Sequence, residues 1–224
     1  MSQRRVPIVP DSYYHIYNRG ANKQNLFKDG ADYYRFVELL YLSNTTHAIN
    51  IRDVRKEYDS TFDFERGTEL VAIGAYCLMP NHFHILMTPR VQNGIESFMR
   101  KLSTGYSMYF NKRYERTGVL FEGRYKSQYI DSDEYLKYLF SYIHLNPLKL
   151  IDGEWKNKGL QDVVGGLQYL QNYIHSSYQD FTTSGRKQST ILAMDKFPEY
   201  FPDKNIFMKE IQSWVYNNSS LGPS

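Results

Sequence analysis

Only one of the 224 residues is a cysteine, Cys77. An internal disulfide is therefore excluded, and a reducing, cytoplasmic setting is the expectation. Because Cys77 lies inside an apolar run, it reads as core filling rather than as a nucleophile. Long hydrophobic runs are lacking too: the longest, residues 71–79, is far too short to span a bilayer, so no membrane partner is expected. The opening Met-Ser-Gln-Arg-Arg has none of the apolar character of a secretory signal. With a single thiol, a closed structural zinc site of the thiolate type is excluded. There is no Gly-x-x-x-x-Gly-Lys-[Ser/Thr] loop for a nucleoside triphosphate. Net charge is only +3, which by itself selects no partner, and internal repeats and low-complexity tracts are missing.

Hydrophobic residues make up 42% of the chain and charged residues 23%, values typical of a chain that packs a core. The length suits one main domain and an appendage. Charge is unevenly spread. Between residues 100 and 126, Arg100, Lys101, Lys112, Arg113, Arg116, Arg124 and Lys126 face only Glu115 and Glu122. Residues 1–28 set Arg4, Arg5, Arg19, Lys23 and Lys28 against Asp11, whereas the chain beyond 150 is close to neutral. A charge run is ordinarily a solvated helix face. The 21 tyrosines and 13 phenylalanines allow a second reading, because basic and aromatic side chains together hold phosphates and stack unpaired bases.

Tyr13–Tyr17, ending at Asn18-Arg19-Gly20, reads as a first strand and its turn. Asp32 is placed to cap a helix in which Tyr33, Phe36, Val37, Leu40 and Tyr41 recur at helical spacing. The charged stretch 52–68 reads as a hairpin tip or mobile loop. Residues 71–79 and 82–87 are strands separated by Pro80-Asn81, the second closed by Pro89. Ile95, Phe98, Met99, Leu102, Tyr106 and Tyr109 mark a long amphipathic helix, and residues 119–130 a further strand. Asp131 with Glu134 has the capping-box spacing for a last helix, which Pro147 ends. This order predicts an α+β fold, a mostly antiparallel sheet with packed helices, over residues 1–151. A helical appendage over 152–224, with its last residues frayed, completes the expectation.

On a strand, His82 and His84 share one face while Phe83, Ile85 and Met87 take the other. Two imidazoles at that spacing can grip a divalent metal, although either alone is commonly a satisfied core or surface residue. In the last helix, Tyr135, Tyr138, Tyr142 and Asn146 form one stripe, and Leu136, Leu139, Phe140 and Ile143 another. Tyr142 and Asn146 lie one turn apart, whereas His144 is about 200° around the helix from Tyr142. A tyrosine hydroxyl, with a pKa near about 10, attacks a phosphodiester only if phosphorus is made more electrophilic and the leaving oxygen is stabilised. A metal on two histidines and one amide oxygen supplies both, and a phosphotyrosine conserves the energy of the broken bond.

Several ordered motifs carry a family resemblance: Tyr14-His15-Ile16 with Asn18-Arg19-Gly20, Met79-Pro80-Asn81-His82-Phe83-His84, Gly123-Arg124-Tyr125, and Tyr142-Ile-His-Leu-Asn146-Pro147-Leu-Lys149. From residue 13 to 151 the chain resembles the single-tyrosine HUH transposases of insertion sequences, and particularly the REP-associated tyrosine transposases. The resemblance implies a ferredoxin-like HUH domain and a DNA nicking and strand-transfer enzyme. It implies Tyr142 as nucleophile, forming a 5′-phosphotyrosine, with His82, His84 and Asn146 holding Mg²⁺ or Mn²⁺. It also implies single-stranded DNA with hairpin ends as the partner, a nucleoid location when DNA is bound, and a monomer rather than a homodimer. Asn18, Arg19 and Arg124 fall in motifs near the DNA surface, and Arg100, Lys112, Arg113 and Lys126 join them as basic candidates. Tyr138 stands as a second candidate nucleophile and His15 as a reserve ligand. The competing readings are a catalytically silent hairpin-binding relative and a hydrolase working through metal-bound water.

Overall fold

In the computed structural model, which describes residues 8–216, four strands form one antiparallel sheet in the order β2-β3-β1-β4. They are β1 (Tyr13–Arg19), β2 (Val71–Met79), β3 (His82–Pro89) and β4 (Lys126–Ile130). Pro80 and Asn81 turn β2 into β3, as their sequence punctuation predicts. The α+β class is thus the observed one. The terminal Arg4 and Arg5, and the last residues expected to fray, lie outside the described residues.

Strand alternation divides the core in two. Tyr14 and Ile16 of β1 and Phe83, Ile85 and Met87 of β3 pack against α1 (Gly30–Leu42) and α3 (Gly94–Arg113), which carry Phe36, Leu40, Phe98, Leu102 and Tyr106. On the other face, Leu86, Cys77 and Ile130 meet the stripe Leu136, Leu139, Phe140 and Ile143 of α4 (Asp133–Leu145). Cys77 is buried there, as core filling should be.

Four local expectations are corrected. The cap of α1 is Asp29, whose side chain accepts from the Ala31 and Asp32 amides. Asp32 instead is fully buried and accepts from the Tyr109 and Tyr114 hydroxyls and from Arg113. Residues 52–68 are not a hairpin tip: α2 (Ile51–Glu57) starts at an Asn50 cap, and Arg55 reaches the buried Glu38, which Arg35 also pairs. Among the charges that suggested a mobile loop, Arg55 is thus tied to a buried carboxylate, and Arg66 pairs Glu69. Only 126–130 of the expected strand 119–130 is regular. Leu120 and Phe121 are consecutive buried residues, which breaks the two-residue alternation, and Gly118 and Gly123 have φ of 86° and 70°. Helix α4 is capped by Ser132, whose hydroxyl accepts from Tyr135 N–H, rather than by Asp131.

The C-terminal segment adds α5 (Trp155–Lys158), α6 (Val163–Asn172), α7 (Tyr178–Thr182) and α8 (Lys204–Tyr216). It also blunts the outer edge of β2. Leu78 N–H donates to His175 O, Ser177 N–H to Tyr76 O, and Ala193 N–H to Ile73 O, each at 2.9 Å. Phe197 packs over Gly74 so closely that a Cβ there would lie 2.8 Å from its ring. Gly74→Ala should therefore destabilise the protein by about 1–3 kcal/mol through overpacking. Gly153→Ala, with nothing within 4 Å of the added atom, should stay within about 0.5 kcal/mol of wild type. Urea midpoints compare them, and equal midpoints would remove the close approach as a constraint.

Candidate active site

The α4 side of the sheet collects five rings, those of His15, Tyr17, His82, His84 and Tyr142. The β1–β3 register sets Tyr17 opposite His84 and Arg19 opposite His82, so His15 and Tyr17 share the face of the histidine pair. His15 stacks on His84 with centroids 5.0 Å apart. Tyr142, delivered by the buried stripe of α4, meets His84 edge-on at 5.7 Å and His15 at 6.0 Å. Tyr138 lies one turn away against Trp214, at 5.4 Å. The structure thus brings His82, His84 and Tyr142 together within one chain.

Hydrogen bonding sets the tautomers. His82 Nδ1 is 2.7 Å from Asn81 Oδ1. An amide oxygen only accepts, so His82 carries its proton on Nδ1 and keeps a lone pair on Nε2. His84 Nδ1 is 2.9 Å from His15 Nε2, and when His84 donates this bond its own Nε2 is free as well. The reserve ligand His15 therefore stands behind His84 as an orienting partner, an arrangement that fixes ring orientation in metal sites. Burial lowers His15 and His82 to about 4, with Lys149 and Arg19 adding to the effect at His82. Burial, then neighbouring His15 and His82, hold His84 well below its usual value. All three rings are neutral at pH 7.

Asn146 is fully buried where α4 passes into a 3-10 turn over residues 146–150. Its Nδ2 donates to Tyr142 O at 2.8 Å, which fixes the amide orientation, while Oδ1 has no hydrogen-bond partner. A buried amide oxygen without a donor is uncommon. Among the described residues no three His, Cys, Asp or Glu side chains are placed to hold a metal ion together, so a cation here would depend on two imidazole Nε2 atoms and this oxygen. The donor chemistry fits one. Burial, then Tyr135 and Tyr17, raise the Tyr142 pKa, and its hydroxyl is protonated at pH 7. His144 points away as its helical position predicts: buried, it bonds Phe140 O at 2.8 Å and Ser177 Oγ at 2.7 Å.

Two cavities flank the loop between α3 and β4. One, of 410 Å³, is lined by Asn18, Arg100, Arg124, Met99, Phe121 and Tyr125; the other, of 330 Å³, by Asn18, Arg19, Lys126 and His82. Asn18 bonds Gly123 O and Arg19 N, so its amide holds this loop. Arg19 pairs Glu122 at 2.8 Å, and Arg113 is engaged by Asp29 and Asp32. Lys112 is exposed on α3, apart from both cavities. One residue that sequence reasoning missed is Lys156, whose Nζ lies 4.1 Å from the centroid of Tyr142. Its near-neutral surroundings in sequence carry no signal for that role.

The family model described as "Transposase IS200 like" matches residues 9–146. A solved structure of a REP-associated tyrosine transposase bound to a REP hairpin superposes with a TM-score of 0.51 at 13% identity, covering 81% of this chain and 85% of that one. No curated protein matches the sequence. Among the described residues no helix is long and apolar enough to cross a membrane.

The buried imidazoles make stability pH-dependent. Burial lowers His144 to about 3 and His175, stacked on Tyr33 at 3.6 Å, to about 4. The unfolded chain takes up protons first as pH falls, so stability is full above about pH 6.5 and is lost toward pH 4 and 3. The fully buried His144 ring should cost about 2 kcal/mol between pH 6.5 and 5, and the half-buried His175 less because solvent screens it. Urea midpoints of metal-free protein should fall over that range and fall less in His144→Gln; an identical fall in the variant would exclude His144 as a source.

Proposed function

The chain belongs to the IS200-like transposase family, and from that membership we propose that it cuts and rejoins single-stranded DNA through Tyr142. The observation that carries this reading is the contact of Tyr142 with His84, 5.7 Å between centroids, where His82 and His84 bond through Nδ1 and neither makes an Nε2 bond among the described residues. Tyr142 Oη forms a bond to the scissile phosphorus, which stays on the 5′ end of the downstream strand, and the P–O3′ bond breaks. The tyrosine proton leaves to solvent, and the departing oxygen takes up a proton to become a free 3′-hydroxyl. The reverse attack, by a 3′-hydroxyl, rejoins strands with no nucleotide cofactor.

His82 and His84, with Asn146 Oδ1, are the residues that would hold Mg²⁺ or Mn²⁺, an ion suited to amide oxygen. When bound, the ion neutralises charge on the phosphate and on the leaving oxygen. Hairpin-bearing single strands are the proposed substrate: the fold neighbour was solved with a REP hairpin, and Arg100 and Arg124 join aromatic side chains in the larger cavity. Because the histidines and Tyr142 meet within one chain, a monomer suffices for the chemistry.

Full-length protein, Mn²⁺ and single-stranded hairpin oligonucleotides from the DNA flanking the gene, labelled 3′ of the scissile position, should yield a protein–DNA adduct on a denaturing gel. Tyr142→Phe and chelator should abolish it, and Tyr138→Phe should not. Tight binding without an adduct would instead identify a hairpin-binding protein, and cleavage that survives Tyr142→Phe a metal-bound water. A second expectation concerns His15. Replacing it with Phe removes the partner that orients His84 and should weaken Mn²⁺ binding about 10- to 100-fold. Electron paramagnetic resonance of free Mn²⁺ reads this directly, and unchanged affinity would exclude the orienting role.

A further inference from the structure

One group at the Tyr142 site comes from the C-terminal segment. Trp155 is 3% exposed and packs in a cluster with Leu145, Leu148, Leu170 and Phe207. That anchor fixes the single turn of α5 against the end of α4. The next side chain, Lys156, therefore crosses to Tyr142, its ammonium 4.1 Å from the ring centroid. Lys149, in the 3-10 turn that begins at Asn146, is close enough to act electrostatically on Lys156, His82 and His84. Neither lysine makes an ion pair among the described residues.

Two like charges thus act on each other beside the neutral imidazoles of His82 and His84, and neither is paired with a carboxylate among the described residues. The face of Tyr142 offsets part of this repulsion through a cation–π contact, but an anion would remove it. We propose that Lys156, assisted by Lys149, is a phosphate-binding catalytic residue of the Tyr142 site, supplied by the C-terminal segment. It holds the scissile phosphodiester and bears the charge that builds on the non-bridging oxygens during attack. Rotation about its terminal bonds carries the ammonium from the ring face to the hydroxyl edge. The bonds made and broken are those of the Tyr142 reaction, on which this inference rests, and no proton passes through the lysines.

The test has two arms on the full chain. In the first, metal-free protein is titrated with inorganic phosphate and followed by line broadening of the ³¹P resonance. Wild type and Tyr142→Phe should bind phosphate alike, Lys156→Gln about tenfold or more weaker, and Lys149→Gln about threefold weaker. In the second, adduct formation on the hairpin oligonucleotide with Mn²⁺ should slow about 100-fold in Lys156→Gln at saturating DNA, with half-saturation shifted about threefold or less because other phosphates remain bound. Lys156→Arg should recover most of the rate, which a purely structural role for the side chain would not predict. Phosphate binding unchanged in Lys156→Gln, or an unchanged adduct rate, overturns the proposal. If wild type forms no adduct, the Tyr142 reading fails while the phosphate arm still decides the role of Lys156. If Lys156→Gln does not fold, judged by its urea midpoint, Lys149→Gln and Lys156→Arg carry the decision.

Discussion

Phe83, Ile85 and Met87 are fully buried between the sheet and the pair α1 and α3, and everything at the site depends on their staying there. Each is worth about 1.5–3 kcal/mol when buried, so together they hold the register of β3 against a one-residue slip that would exchange its faces. The same alternation commits His82 and His84 to the α4 side. Placing imidazoles there has a cost, visible in their lowered pKa values, and the apolar residues offset it. Neutral rings with free Nε2 atoms follow from packing on the opposite face of the sheet, not from any special feature of the histidines.

The second face is held by an equally indirect arrangement. Helix α4 is seated by Leu136, Leu139, Phe140 and Ile143, and its far end is fastened by His144 to Ser177 Oγ at 2.7 Å. Ser177 in turn accepts from Tyr76 N–H at 2.9 Å, at the edge of β2. The C-terminal segment thus ties the tyrosine-bearing helix to the strand next to the histidine-bearing one. It also covers an edge that would otherwise present unpaired backbone groups.

Much of this is legible in the sequence because it depends on short periods. The two-residue period shows that His82 and His84 share a face, and the 3.6-residue period separates His144 from Tyr142 and joins Asn146 to it. Long-range contacts carry no such signature. Asp32 resembles a cap until Tyr109, Tyr114 and Arg113 are seen to converge on it. The charges of 52–68 resemble a loop until Arg55 is found on Glu38. Basic residues counted together in 100–126 separate once partners are known: Arg100 and Arg124 share a cavity, whereas Arg113 is held by Asp29 and Asp32. Lys156 meets Tyr142 only because Trp155 is buried, a fact of tertiary packing.

The charges around Tyr142 bear on the order in which a reaction there must assemble. Its hydroxyl is kept protonated by burial, the neighbouring imidazoles are neutral, and the lysines on the α5 side, Lys149 and Lys156, are both positive. A lone divalent cation entering beside them would meet repulsion and only neutral ligands. A lone phosphate would meet the two ammonium groups but no counterpart at the histidines. On the proposed reading each therefore improves the site for the other, and by linkage the improvement is equal in both directions. On that reading, the burial that positions Tyr142 also keeps its hydroxyl protonated before either is bound.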